Sequence, residues 1–375
     1  MPTNPTPVLP RYGNGSLVDV MPWVLRGALG PAGAAIDVPD WMVPHDTTVE
    51  RRVVLLIDGL GWNQLRARAS LAPTLSALAG SVITSVAPTT TATALTSLST
   101  GTCPGEHGIV GYRMDMGSSV MNTLRWGDER GDLRRVHAPS DVQPCPPFMG
   151  VRVPVVSKAE LEDTGFTAAH LRGSLPAGWR VASSIPVIVS DLLSQGEPLV
   201  YAYYDGLDKV AHERGFGAYY DAEIRACDRL VSDLIAALPS GTALYVTADH
   251  GQVQVGDNTI TLPPQVMRMV RRQSGEGRFR WLHAVSGAER ELLDTCNDLF
   301  GDLAWVVSRQ RIIDESWFGP VVRPPALRRL GDVALVPFAD VSFDDPADGG
   351  HFVLQCRHGS MTAAEVEVPL LVHVV

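Results

Sequence analysis

Six residues of this chain have the types and settings that bind metal ions. Asp58 directly follows the apolar run 53–57, Asp208 comes shortly after the run 198–204, and Asp249 comes just after the run 244–247. If these runs are strands of one open sheet, ligands bind outside the strands' carboxyl ends, and three carboxylates distant in sequence converge there. Asp208 and His212 are four apart, which on a helical turn puts an acid and an imidazole on one face. Asp249-His250-Gly251 sets two ligands side by side, with a glycine that lets the backbone turn beside an ion. His358-Gly359 stands shortly before the last apolar run. Taken singly, each has an ordinary reading: an aspartate after a strand is commonly a helix N-cap or a turn residue. The Asp208/His212 spacing also suits a surface ion pair, and a lone histidine is commonly a surface or core residue. Together the six suffice for two three-ligand sites with positions open for water or substrate, and their mixed carboxylate and imidazole donors suit zinc, with manganese or iron as alternatives. Two ions about 4 Å apart can clamp the attacking and leaving oxygens of a phosphoryl displacement.

A nucleophile could come from Pro88-Thr89-Thr90-Thr91-Ala92-Thr93. Pro88 ends a strand-like run and a threonine then opens a helix, whose backbone N–H groups favour a bound phosphate. A hydroxyl there attacks only if its pKa is lowered, which a metal ion can do. At least one of these threonines is expected to serve as an N-cap.

The elements that must position these groups alternate. Strands are expected at 53–57, 81–86, 151–156, 198–204, 244–247 and 366–375, and helices at 62–79, 91–100 and 219–238. Alternation of this kind predicts an α/β fold with a mainly parallel central sheet and helices on both faces. Residues 1–50 are rich in proline and glycine and read as an N-terminal extension with a short helix near 17–29. Residues 51–254 and 356–375 read as the catalytic core. Residues 255–355 break the alternation and read as a small α+β cap insertion shaping the leaving-group pocket.

Composition bounds the function. The chain has 375 residues and a net charge of −10, which disfavours non-specific binding to nucleic acid or anionic membrane. It leaves a phosphate substrate open, because bound divalent cations reverse the field of an acidic pocket. Five scattered cysteines suggest neither a disulfide framework nor a cysteine-based zinc site. The amino-terminal residues lack the features of a signal peptide and no apolar stretch is long enough to span a bilayer, so the expected compartment is the cytoplasm.

Five segments in order resemble the nucleotide pyrophosphatase/phosphodiesterase family of the alkaline phosphatase superfamily. They are LLIDGLGW, APTTTATALTSLSTGTCPGEHGIVGY, DGLDKVAHERG, TADHGQ and RHGSMTAAEVEVPLLV, spanning residues 55–372. The resemblance implies an alkaline phosphatase-like fold and hydrolysis of a small phosphate ester through a phosphoryl-threonine intermediate. It implies one zinc on Asp58, Asp249 and His250 and another on Asp208, His212 and His358. The family's nucleophile is the second threonine of Pro-Thr-x-Thr, which here is Thr91. His107 is expected to be structural.

Two positions depart from the family pattern. Ala92 stands where nucleotide-cleaving members carry a base-stacking aromatic residue, and Ala94 where many carry an asparagine that donates to a phosphate oxygen. Thr93, Tyr203, Lys209 and Arg113 are candidate substitutes for that donor, with Tyr203 and Lys209 carried forward as candidate substrate contacts. A phosphomonoesterase or phosphonate hydrolase on the same scaffold is the alternative enzyme, and an inactive metal-binding regulator the alternative of another class. A superfamily mutase is disfavoured by the threonine, and a sulfatase by the lack of Cys or Ser at position 91.

Overall fold

The computed structural model describes residues 4–37, 49–348 and 353–375. Residues 1–3 and 38–48 of the expected N-terminal extension, and 349–352 of the expected insertion, lie outside the described residues.

The centre is a seven-stranded sheet. Its strands are β1 (Arg51–Ile57), β2 (Ala79–Thr84), β3 (Pro154–Val156), β4 (Leu175–Pro176), β5 (Leu199–Tyr204), β6 (Thr242–Thr247) and β7 (Glu367–Val374). Their spatial order is β2-β7-β6-β1-β5-β3-β4. β1 pairs parallel with both β5 and β6, Leu55 standing opposite Ala202 and Val246. These strands are buried on both faces, which is why they read as unbroken apolar runs. β7 runs antiparallel between β6 and β2, so the expected mainly parallel sheet contains one reversed strand. That reversal brings the start of β7 to the edge where β1, β5 and β6 end.

Helix α1 (Leu17–Ala28) is capped by Ser16 and buries Leu17, Val20, Met21 and Val24. It packs on α2 (Thr91–Thr100), every residue of which is buried. Gly101 ends α2 at φ 63°, and a Cβ there would stand 2.5 Å from Pro22 of α1. The glycine- and proline-rich start of the chain is thus part of the core packing. α3 (Gly206–Arg214) and α4 (Ala218–Ala237) follow β5. The single helix expected at 62–79 is instead three short turns, Trp62–Ala67, Ala69–Leu71 and Pro73–Ala77. Pro73 has no N–H to continue the ladder and biases Ala72 away from helical geometry.

Two four-stranded antiparallel sheets stand apart from the central one. In the first, Val270–Glu276, Phe279–Ala284, Val333–Pro337 and Ala304–Ser308 are neighbours in that order, backed by helix Glu289–Phe300. Leu282, Leu292, Cys296, Phe300 and Leu335 form a separate apolar cluster there. The second, from Arg113–Asp115 to Gly131–Asp132, was not anticipated from the sequence, because its strands are two or three residues long. Asp115 ties the two together: it receives Arg272 Nη1 at 2.5 Å and faces His283 Nδ1 at 3.3 Å. Among the described residues no helix is long and apolar enough to cross a membrane.

Candidate active site

The carboxyl ends of β1, β5 and β6 deliver Asp58, Asp208 and Asp249 to one edge of the sheet, and the segment before β7 delivers His358 to the same edge. Two of the carboxylates, Asp58 and Asp249, are buried and half used by the protein. Asp58 Oδ2 accepts from the Tyr203 hydroxyl at 2.5 Å, while Asp58 Oδ1 is buried without a hydrogen-bond partner. Asp249 Oδ1 accepts the backbone N–H groups of Gly59 and His250, each at 3.0 Å, while Oδ2 is buried without a hydrogen-bond partner. Gly59 makes this approach possible: its φ is 74°, and a Cβ there would meet Gln252 Nε2 at 2.9 Å. The two unused oxygens lie 3.5 Å and 3.3 Å from His250 Nε2. Asp208 Oδ1 accepts from Gln252 Nε2 at 2.5 Å and lies 3.3 Å from His212 Nε2.

The three imidazoles are oriented alike. The Nδ1 of His250 meets the Gly251 carbonyl at 3.0 Å, that of His212 the Cys356 carbonyl at 2.7 Å, and that of His358 the Thr89 carbonyl at 2.8 Å. A carbonyl can only accept, so each Nδ1 carries the proton and each Nε2 presents a lone pair. His212 Nε2 and His358 Nε2 nevertheless face each other at 3.3 Å. Two opposed lone pairs beside carboxylate oxygens are what a cation would reconcile. Asp58, Asp249 and His250 offer one ligand atom each within 4.8 Å of one another, as do Asp208, His250 and His358. His212 completes the second group through its short distances to Asp208 and His358.

Burial and then the Asp249 and Asp208 charges raise Asp58 well above the usual carboxylate range, and burial also raises Asp208 and Asp249. Burial lowers the pKa of His250 and, reinforced by the neighbouring imidazoles, that of His358. Such a cluster resists carrying its own charge and favours an external cation.

Of the neighbouring threonines, Thr91 meets this cluster: its hydroxyl lies 3.2 Å from His250 Nε2. It opens α2 and lines a cavity of about 1040 Å³ together with Asp208, His212 and His358. Thr89 is engaged elsewhere, donating to the Ser360 carbonyl and accepting the Gly359 N–H. Thr90 is the N-cap residue and its side chain hydrogen-bonds Glu276, and Thr93 is fully buried.

The expected donors in place of the missing asparagine are not brought to the cavity as free groups. Tyr203 donates its hydroxyl to Asp58 and does not line the cavity. Lys209 points to Asp205 at 2.6 Å, which also holds Lys158, and it does not line the cavity. Arg113 lines the cavity but is bound to Asp345. His107 donates from Nε2 to Ser97 at 2.8 Å and accepts the Ile109 N–H at Nδ1, a structural arrangement. Three cavity or ligand-holding residues were not singled out from sequence: Gln252, Glu276 and Arg357. Gln252 and Arg357 each adjoin a ligand motif in the chain, whereas nothing in the sequence marks Glu276. The far wall of the cavity comes from residues 118–132 as well as from the 270–277 hairpin.

Residues 52–344 match the model of the Type I phosphodiesterase / nucleotide pyrophosphatase family, and the chain belongs to that family. It is a hydrolase of the phosphodiesterase/pyrophosphatase type, and such proteins typically bind two divalent metals. No curated protein matches the sequence significantly. Solved structures are similar in fold. Human ectonucleotide pyrophosphatase/phosphodiesterase 5 superposes with a TM-score of 0.65 at 15% identity, covering 86% of this chain and 87% of that one. An inactive threonine-to-alanine form of the murine protein, in complex with AMP, gives 0.63 at 15% identity, covering 86% and 87%. Phosphonoacetate hydrolase from Sinorhizobium meliloti 1021, in complex with phosphonoacetate, gives 0.63 at 18% identity, covering 86% and 89%.

Proposed function

We propose that this chain is a two-metal phosphodiesterase in which Thr91 is the nucleophile. The observation that carries the reading is the convergence of ligand atoms, from Asp58, Asp249 and His250 and from Asp208, His212 and His358, beside the Thr91 hydroxyl. The donor set suits zinc. When bound, such ions would supply the positive charge that lowers the hydroxyl pKa and offsets charge on the phosphoryl oxygens. The chain's own residues do the rest. Tyr203, Gly59 and Gln252 hold the carboxylates, and three backbone carbonyls hold the imidazoles with Nε2 inward. α2 presents Thr91 Oγ to the cavity, with the helix N-terminus directed at the phosphate. Thr91 Oγ attacks phosphorus, the ester oxygen departs, and water then hydrolyses the phosphoryl-threonine.

Inactivity of the murine relative's threonine-to-alanine form supports a threonine in this role. A phosphonate hydrolase is the second reading, favoured by the fold shared with phosphonoacetate hydrolase and by Ala92, which provides no stacking ring. A parallel assay of aryl phosphodiesters, aryl phosphomonoesters, dinucleotides and phosphonates with zinc-loaded protein separates them. Fastest turnover of the diesters is expected, and turnover of phosphonates alone would transfer the assignment.

A further inference from the structure

The cavity is lined by an arginine that forms no ion pair among the described residues. Arg357 lies in the short strand Cys356–Arg357, paired with Val253–Gln254, so its backbone is clamped between the segment carrying Asp249 and His250 and the ligand His358. Its side chain lines the cavity with Thr91, His212 and His358. Its Nε is buried without a hydrogen-bond partner, and it forms no ion pair among the described residues. The acids that face it are Asp348, Asp344 and Glu276, and Glu276 is turned toward Thr90 and His358. The other cavity arginines differ. Arg113 is held by Asp345, Arg130 by Asp128 and Arg272 by Asp115, and Arg125 is exposed to water. Space is also kept for the guanidinium: a Cβ on Gly277 would stand 3.0 Å from Arg357 Nη1.

Arg357 is only partly exposed, its acidic neighbours form no ion pair with it, and a planar oxyanion matches the fork of donors it keeps. Its place indicates which part of a substrate would supply that oxyanion. Thr91 contacts His250, whereas Arg357 adjoins His358 in the other ligand group. In a displacement with the attacking and leaving oxygens in line, that is the side from which the leaving group departs. We propose that Arg357 selects substrates whose leaving group carries its own oxyanion, a carboxylate or a second phosphoryl group, and binds that oxyanion through its guanidinium. The proposal rests on the reading of this cavity as the esterase site.

The test compares methyl 4-nitrophenyl phosphate with its 3-carboxy and 3-phosphono derivatives on zinc-loaded protein. Wild type is expected to favour a charged derivative in kcat/KM by about tenfold, the worth of one hydrogen bond to a charged group. Arg357→Met should remove that preference, and Arg357→Lys should retain part of it. The carboxylate and phosphonate arms show which oxyanion fits. Equal kcat/KM for charged and uncharged esters in wild type, or an equal loss on all of them in Arg357→Met, overturns the proposal. If no ester is cleaved, the esterase reading fails, and titration calorimetry of the matching methylphosphonate esters with metal-free and zinc-loaded protein decides the proposal. Tighter binding of the charged ester that is lost in Arg357→Met upholds it, and equal binding refutes it.

Discussion

Thr91 is distinguished from its neighbours by what its hydroxyl touches, and the consequences of single substitutions follow from such contacts. Thr91→Ala removes the group beside His250 Nε2 while leaving every ligand in place. Turnover should fall by several orders of magnitude with metal content unchanged, measured by steady-state kinetics and elemental analysis on the same preparation. Thr89→Ala should behave differently. It releases the Gly359 N–H and the Ser360 carbonyl that flank His358, so metal affinity should fall with activity. Tyr203→Phe removes the donor that fixes Asp58 Oδ2. Loss of such an outer partner lowers metal affinity by about 10- to 100-fold, which competition with a chelator would register. Unchanged affinity would mean that Tyr203 does not orient the ligand.

At the scale of elements, the site depends on how the 270–284 hairpin is fastened to the segment before β7. Arg278, at the hairpin turn, is fully buried and forks onto Glu365 with bonds of 2.7 and 2.8 Å. It also donates to the carbonyls of Pro337, Ala339 and Val341. Glu365 in turn accepts the Ser360 N–H and the Thr362 hydroxyl. Every donor of that junction is satisfied, and breaking one side of such a pair typically costs about 3–5 kcal/mol. Glu365→Ala should therefore lower the unfolding free energy by that order in urea titration and weaken metal binding through the His358 segment. A loss under about 1 kcal/mol would show the junction to be dispensable. Ser274, His283 and Asp115 form a serine–histidine–aspartate chain nearby, with Ser274 Oγ 2.8 Å from His283 Nε2. Ser274 has no exposure to solvent, so this chain fastens the two small sheets and is closed to substrate.

For the molecule as a whole, metal content and acid stability are the telling measurements. Elemental analysis should find about two divalent ions per chain, zinc predominating after growth with zinc present, and chelation should abolish turnover. Full activity without bound metal would refute the proposed function. Acid sensitivity has a separate origin in the core. Burial lowers His107 to about 3 and His170 to about 4, whereas both titrate near 6.5 in the unfolded chain. As pH falls below about 6.5, the unfolded state takes up protons that the folded state refuses, so stability drops by about 1.4 kcal/mol per pH unit for each imidazole until the folded values are reached. Urea midpoints of metal-free wild type and His170→Gln at pH 6.5, 5.5 and 4.5 check this, with a shallower decline expected in the variant.

What was legible in the sequence was whatever local chemistry imposes. Apolar runs marked the buried strands, the helical spacing from Thr91 to Thr100 marked α2, and the Asp-x-x-x-His and Asp-His-Gly pairs marked candidate ligands, because each depends on neighbours a few residues away. The family resemblance extended this to Thr91 as the nucleophile and to His358, whose local signal alone was weak. Other features required the tertiary structure. That β7 is reversed, and so carries His358 to the same edge as Asp58, depends on pairing between strands far apart in the chain. The fates of Tyr203, Lys209 and Arg113 were set by Asp58, Asp205 and Asp345, partners that spacing does not identify. Arg357 stands out only by the lack of an ion-pair partner among the described residues, and whether a charge in a cavity wall is paired is decided where distant segments meet.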